Sequence, residues 1–193
     1  MPRAQNQYGF TIMELMISIA ILFIVTAIGI PGYISYVRNG SRDNTVTDLY
    51  SNMNYARSEA IKLNTNVSMC RAGNTTAANA ACGGTARNWT TGWLIFVDNN
   101  NNGDFDPGER LLKIGAPIKN GIQVMASTTA DPSISFLNDG SLKIVAGGTA
   151  TFAVCDDRDN DGTYDKAYGR DISISAMGRP EITNIPSGSS CTP

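Results

Sequence analysis

Three patterns of apolar and polar residues follow one another along this chain. Residues 10–30 read FTIMELMISIAILFIVTAIGI, an almost unbroken apolar run followed by Pro31. As a helix it measures about 32 Å, enough to cross a hydrocarbon layer of about 30 Å. Pro31 has no N–H to donate, so a kink or loosening is expected there. Beyond it, Val46, Leu49, Met53, Ala56 and Ala60 recur at alternating spacings of three and four. That is the stripe of an amphipathic helix, sustained to about Leu63, with Ser51, Asn52, Asn54, Arg57 and Glu59 on its other faces. Gly40-Ser41 interrupts the upstream part, which disfavours a coiled-coil seam and favours docking on the chain's own domain.

From Asn64 the pattern turns to short β-rich runs separated by turn residues: Asn66–Cys70, Gly92–Val97, Arg110–Ile114, Ile122–Ala126, Ser133–Leu137, Ala150–Cys155 and Asp171–Ser175. Asn138-Asp139-Gly140 is a hairpin-turn signal. Residues 72–91 are small and polar and read as a loop, and Pro186–Pro193 reads as a tail. One long helix followed by antiparallel strands makes the expected fold class α+β. The expected divisions are 1–9, 10–30, 31–63 and a β-rich domain over 64–193.

Composition narrows the chemistry. The 193 residues carry a formal charge of −2, and loss of Arg3 with a leader makes the chain one unit more negative. Nothing in that balance attracts nucleic acid or anionic lipid. With no histidine the commonest general base and metal ligand is missing. No nucleophile constellation appears, so an enzyme is not expected. Cys70, Cys82, Cys155 and Cys191 all follow the apolar run, with no C-x-x-C. Outside the cytoplasm two disulfides are the default. Four cysteines allow three pairings. Cys70–Cys82 is preferred because it closes the loop after the first strand, and Cys155–Cys191 because it pins a polar tail with little to bury.

One carboxylate, Glu14, sits at the edge of the apolar run, where a charge costs roughly 2.5–3.5 kcal/mol on insertion scales. A secretory signal does not explain it: the run is too long and no A-x-A-like site precedes Pro31. A plain anchor explains the length but neither Glu14 nor the Gly9-Phe10 junction. Gly9-Phe10-Thr11-Ile12-Met13-Glu14 resembles the type IV prepilin leader. The resemblance implies cleavage between Gly9 and Phe10, N-methylation of Phe10, and retention of the apolar helix. It implies that Glu14, paired with the new amine of a neighbouring subunit, sets the register of a filament. The weakly basic leader supports an N-inside orientation only mildly, since Arg38 and Arg42 flank the other end.

The rest of the chain is similar to the GspH/FimT/FimU minor pilins and pseudopilins. The residues that carry this are Tyr55-Ala56-Arg57-Ser58-Glu59-Ala60, Val67-Ser68-Met69-Cys70, Gly92-Trp93-Leu94-Ile95-Phe96-Val97-Asp98, Gly108-Glu109-Arg110-Leu111-Leu112, Ile174-Ser175 and Gly178-Arg179. The family implies a pilin fold and a single pass through the inner membrane, with the N-terminus cytoplasmic and the β domain periplasmic. It implies a minor pilin that primes assembly at or near the tip of a type IV pilus. Its partners would be other minor pilins, the major pilin, the platform protein and the prepilin peptidase. A pseudopilin of a type II secretion system has the same architecture and is the first alternative. A DNA-binding pilin for natural transformation is the second. It is disfavoured because Gly178-Arg179-Pro180-Glu181 places Glu where some relatives carry a second Arg.

Two acidic loops remain. Asp98-Asn99-Asn100-Asn101-Asn102-Gly103, five residues and Glu109 fit D-x-[DN]-x-[DN]-G-x₅-E. In that geometry Asp98, Asn100 and Asn102 supply side-chain oxygens to calcium and Asp104 a carbonyl. Asp106 acts directly or through water, and Glu109 supplies two oxygens. A polar turn without metal is the competing reading, because Asn, Asp and Gly favour turns on their own. Asp157, Asp159, Asp161 and Asp165 repeat the front of the pattern without the closing glutamate.

Overall fold

The computed structural model describes residues 9–119, 121–143, 148–157, 164–184, 191 and 193, the side chains of 165–168 excepted. The chain divides into two compact units, Met1–Val37 and Arg38–Pro193. A single helix, α1 (Ile12–Leu63), runs from the first into the second. It continues through Pro31 and through Gly40-Ser41 without a break in its assignment. Among the described residues nine strands follow: β1 (Val67–Asn74), β2 (Ala81–Cys82), β3 (Trp93–Val97), β4 (Leu111–Gly115), β5 (Ile122–Ala126), β6 (Ser133–Phe136), β7 (Ala150–Asp156), β8 (Asp165–Ile174) and β9 (Pro180–Asn184).

The strands form two antiparallel sheets. In the first the order is β2-β1-β3-β4, with β6 also pairing β1. In the second it is β5-β7-β8-β9. β1 is therefore paired by β3 along one edge and by β6 and β2 along the other, in the registers Ser68↔Phe96, Ser68↔Ser135 and Ala72↔Cys82. The α1 stripe is the seam between the sheets. Val46, Leu49, Met53, Ala56 and Ala60 are buried with Val67, Met69, Ile95, Ile134 and Phe136 of the first sheet and Val124, Phe152, Val154, Ile172 and Ile174 of the second. Leu49, Met53, Ala56 and Ala60 are all fully buried, so the packed stripe takes large side chains first and small ones in the turns after. A second cluster (Cys70, Ala72, Leu94 and Phe96, with Phe105 against it) covers the other face of β1 and β3. β3 is thus buried along its whole length, which is why WLIFV is continuous rather than alternating.

Two expectations are corrected. Asn52 is not on a solvent face: it is fully buried, and its amide donates to the backbone and side-chain oxygens of Asp48 at 2.8 and 3.0 Å. Arg42 also joins the buried stripe, beside Asp43. Residues 72–91 are more than a loop. They finish β1, form a 3₁₀ turn (Ala77–Asn79) and β2, and then insert Trp89 into the core, edge-on to Phe152 at 4.9 Å. The backbone N–H of Trp89 donates to the Val124 carbonyl, which ties the segment to β5.

Candidate functional site

In the first unit, Thr11 starts the helix: its hydroxyl accepts the Glu14 N–H at 3.2 Å and its carbonyl accepts that of Leu15. Thr11-x-x-Glu14 thus has the spacing of a capping box, a signal present in the sequence that the apolar run overshadows. Glu14 lies in the first helical turn, where the macrodipole favours a carboxylate. Phe10 is 83% exposed, and a Cβ added at Gly9 would meet nothing within 4 Å. The large apolar side chains of the run, from Ile12 to Ile30, are exposed as well. Ser18 and Thr26 donate their hydroxyls to the carbonyls of Glu14 and Leu22, so their polarity is satisfied inside the helix. This is one helix long and apolar enough to cross a membrane.

In the second unit the loop between β3 and β4 is built on Asp98, which is 1% exposed. Its carboxylate accepts the Ser68 hydroxyl at 2.6 Å and the N–H groups of Gly103 and Asn102 at 2.9 and 3.1 Å. The Ser135 hydroxyl stands 2.7 Å from that of Ser68, so β1 and β6 both feed this buried carboxylate. Gly103 has φ +82°, and a Cβ there would fall 2.3 Å from Ser133 Oγ, so only glycine fits. Asn100 and Asn102 both donate their side-chain N–H groups to Asp106 at 2.8 Å. Their side-chain oxygens accept the N–H groups of Asn102 and Asp104. Glu109 closes the loop by accepting the N–H groups of Asn99 and Asp106 at 2.8 and 3.0 Å. Phe105 anchors the tip, packed against Phe96 with 5.3 Å between ring centres.

The motif residues are therefore brought together, and tested against calcium their fit is partial. The oxygens of Asp98, Asn100, Asn102 and Glu109 all take protein donors, and Asp98 Oδ2 takes two, which occupies both of its lone pairs. Asn100 and Asn102 present N–H groups, not oxygens, to Asp106. Among the described residues no cluster of three or more His, Cys, Asp or Glu side chains is placed to hold a metal. Of the second loop, Asp157 is described, but Asp159, Asp161 and the Asp165 side chain lie outside the described residues. The cysteines pair as Cys70–Cys82 and Cys155–Cys191. The first disulfide reaches the acidic loop, because the Phe105 N–H donates to Cys82 Sγ.

Gly178-Arg179 lies in the turn between β8 and β9. A Cβ on Gly178 would sit 2.0 Å from the Gly140 carbonyl oxygen, which also accepts Arg57 Nε at 3.0 Å. The helix, the Asn138-Asp139-Gly140 turn and the β8–β9 turn thus meet at one point.

A family model described as type II transport protein GspH matches residues 45–178. The chain belongs to this GspH family. The prokaryotic N-terminal methylation motif matches residues 4–30. Among solved structures, the Pseudomonas aeruginosa (strain PAO1) type IV minor pilin FimU shares the fold with a TM-score of 0.54 at 20% identity, covering 81% of this chain and 98% of that one. The minor pseudopilin EpsH from the type 2 secretion system of Vibrio cholerae gives 0.47 at 10% identity, covering 75% and 97%. A search of curated protein sequences finds no match. A GspH-family domain behind a methylation motif is a minor pilin or pseudopilin, a class of filament subunit with the fold found here.

Proposed function

We propose that this GspH-family chain is a type IV minor pilin. Prepilin peptidase cuts between Gly9 and Phe10 and methylates the Phe10 amine, and the mature chain primes assembly at or near a pilus tip with other minor pilins, the major pilin and the platform protein. The observation that carries this is the uncovered apolar helix with a single carboxylate in its first turn. Side-by-side packing of such helices excludes water, so Glu14 needs a cation. The amine four residues away in sequence, offered by a neighbour, supplies it at one axial register. The helix anchors the subunit in the inner membrane before assembly, with the β domain on the periplasmic side. The test is intact mass of the chain from cells with and without the peptidase. Loss of residues 1–9 with gain of one methyl is expected, Gly9→Val should block it, and a chain that stays full length would refute the reading. A deletion strain that keeps its pili but loses protein secretion would move the chain to a type II secretion system.

Calcium is a secondary reading for the β3–β4 loop, supported by the convergence of Asn100, Asn102 and Asp106. Asp98, Asn100, Asn102, Asp106 and Glu109 would hold the ion once the two amides turn their oxygens inward. Millimolar calcium should then raise the thermal midpoint of the full chain but not of the Asp98→Ala or Glu109→Ala variants. An unchanged midpoint would leave a metal-free polar turn.

A further inference from the structure

A cleft of about 290 Å³ opens between α1 and the connection from β4 to β5. Ser41, Thr45 and Asp48 line it from the helix, and Trp93, Ile118 and Lys119 from the β domain. Asp48 and Lys119 are exposed, and neither forms an ion pair among the described residues. Two buried polar atoms belong to the same place. Trp93 is 1% exposed, and its Nε1–H has no acceptor among the described residues. A Cβ on Gly115 would clash with Nε1 and Cε2, so this edge of the ring is turned toward Gly115 and the neighbouring Ala116, which lines the cleft. On the helix, Ser41, Thr45, Asp48 and Asn52 share one face at spacings of four, three and four. Asn52, one turn beyond Asp48, is fully buried. Its amide engages the Asp48 carboxylate, and its Oδ1 has no donor among the described residues. Buried polar groups are nearly always paired, because leaving one unmatched is costly. The β side of the cleft thus offers a donor and a cation, and the helix side an acceptor and an anion.

We propose that this cleft binds a small zwitterion, an α-amino acid, with its carboxylate toward Trp93 Nε1–H and Lys119 and its ammonium toward Asp48 and Asn52 Oδ1. Opposite charges on opposite walls select a ligand that carries both signs. An anion or a cation alone leaves one wall charge and one buried polar atom unmatched. The volume lies at the lower end of ligand sites, which run about 300–1,000 Å³, and suits a molecule of amino-acid size. Ile118 and Ile122 also line the cleft and would meet a short aliphatic side chain. The proposal does not depend on the pilus assignment.

The test uses the nitrogen-15-labelled full chain in detergent, followed at the indole N–H signals of its two tryptophans, which through-bond correlation assigns. Titrated L-alanine should move the Trp93 signal saturably at millimolar concentration. Propionate and ethylamine, which each carry one of the two charges, should bind more weakly by about threefold or more, the worth of an exposed charge pair. Asp48→Asn and Lys119→Gln should each weaken L-alanine binding by about the same factor without moving the thermal midpoint. Asparagine keeps the Oδ1 that accepts the Asn52 amide, and Lys119 is exposed. No saturable shift, a single ion that binds as tightly as the zwitterion, or variants that bind like the parent would each overturn the proposal.

Discussion

Replacing Gly178 by alanine isolates a single steric contact. The residue has φ +72°, and its added Cβ would stand 2.0 Å from a backbone oxygen, which cannot swing away as a flexible side chain can. Gly121 is a matched control, with φ +67° and nothing within 4 Å of the same added atom. At both sites alanine pays roughly 1–2 kcal/mol for left-handed backbone. Reduced freedom of the unfolded chain returns about 0.4–1 kcal/mol. Gly121→Ala should therefore cost about 0.5–1 kcal/mol. Gly178→Ala adds overpacking of about 1–3 kcal/mol, since the turn must part from Gly140 and loosen the Arg57 hydrogen bond. At about 2–4 °C per kcal/mol, the thermal midpoint should fall by about 2 °C for Gly121→Ala and about 8 °C for Gly178→Ala. The assay is intrinsic fluorescence of the full chain in detergent, reported by the buried Trp89 and Trp93. Midpoints that agree within the error of the scan would refute the idea that Gly178 locks the three elements together.

Removing Cys155–Cys191 by paired serine substitution should destabilise the domain by about 4 kcal/mol and removing Cys70–Cys82 by about 3 kcal/mol, because the former closes the longer loop. Denaturant titration that gives the reverse order would refute the chain-entropy account. Asp139 accepts the hydroxyl and N–H of Ser141 at 2.6 and 2.8 Å, and the hydroxyl bond first, then the backbone bond, hold its carboxyl below the usual range. A lowered folded pKa means that the turn is stabilised above the ordinary carboxylate pKa, and that this is lost as pH falls through the folded value. Carbon-detected NMR titration should show the Asp139 midpoint raised in Ser141→Ala, which removes the hydroxyl bond and keeps the backbone one; an unmoved titration would assign the depression elsewhere.

Much of this fold was legible because burial and period coincide. The α1 stripe and seven strands were read from spacing alone, within a residue or two at most ends, although β1 and β8 run several residues further. What escaped depends on distant partners. β2 and Trp89 sit in a stretch of small polar residues whose shape comes from the Cys70–Cys82 bridge and from β5, neither of which has a local signature. β9 opens on Pro180, a position where a missing N–H is tolerated at the start of an outer strand but which reads locally as a break. Asn52 escaped because its burial is made tolerable by Asp48 one turn back. The acidic motif spans the loop residues that share hydrogen bonds but not Ser68 and Ser135, whose hydroxyls come from strands far along the chain.

The placement of β6 has a kinetic consequence. In chain order it falls between β5 and β7 of the second sheet, yet it pairs with β1 of the first. Ser68 must find Ser135, 67 residues on, before the first sheet is complete. A chain emerging from its N-terminus therefore leaves one edge of β1 open over Val67–Cys70 until residue 136 of the 193 has emerged. Such long-range pairing is slow to form, and an unpaired edge invites other strands. The interval between the appearance of β1 and that of β6 is thus when this chain is most exposed to mispairing, and a protective chaperone would have its greatest effect there.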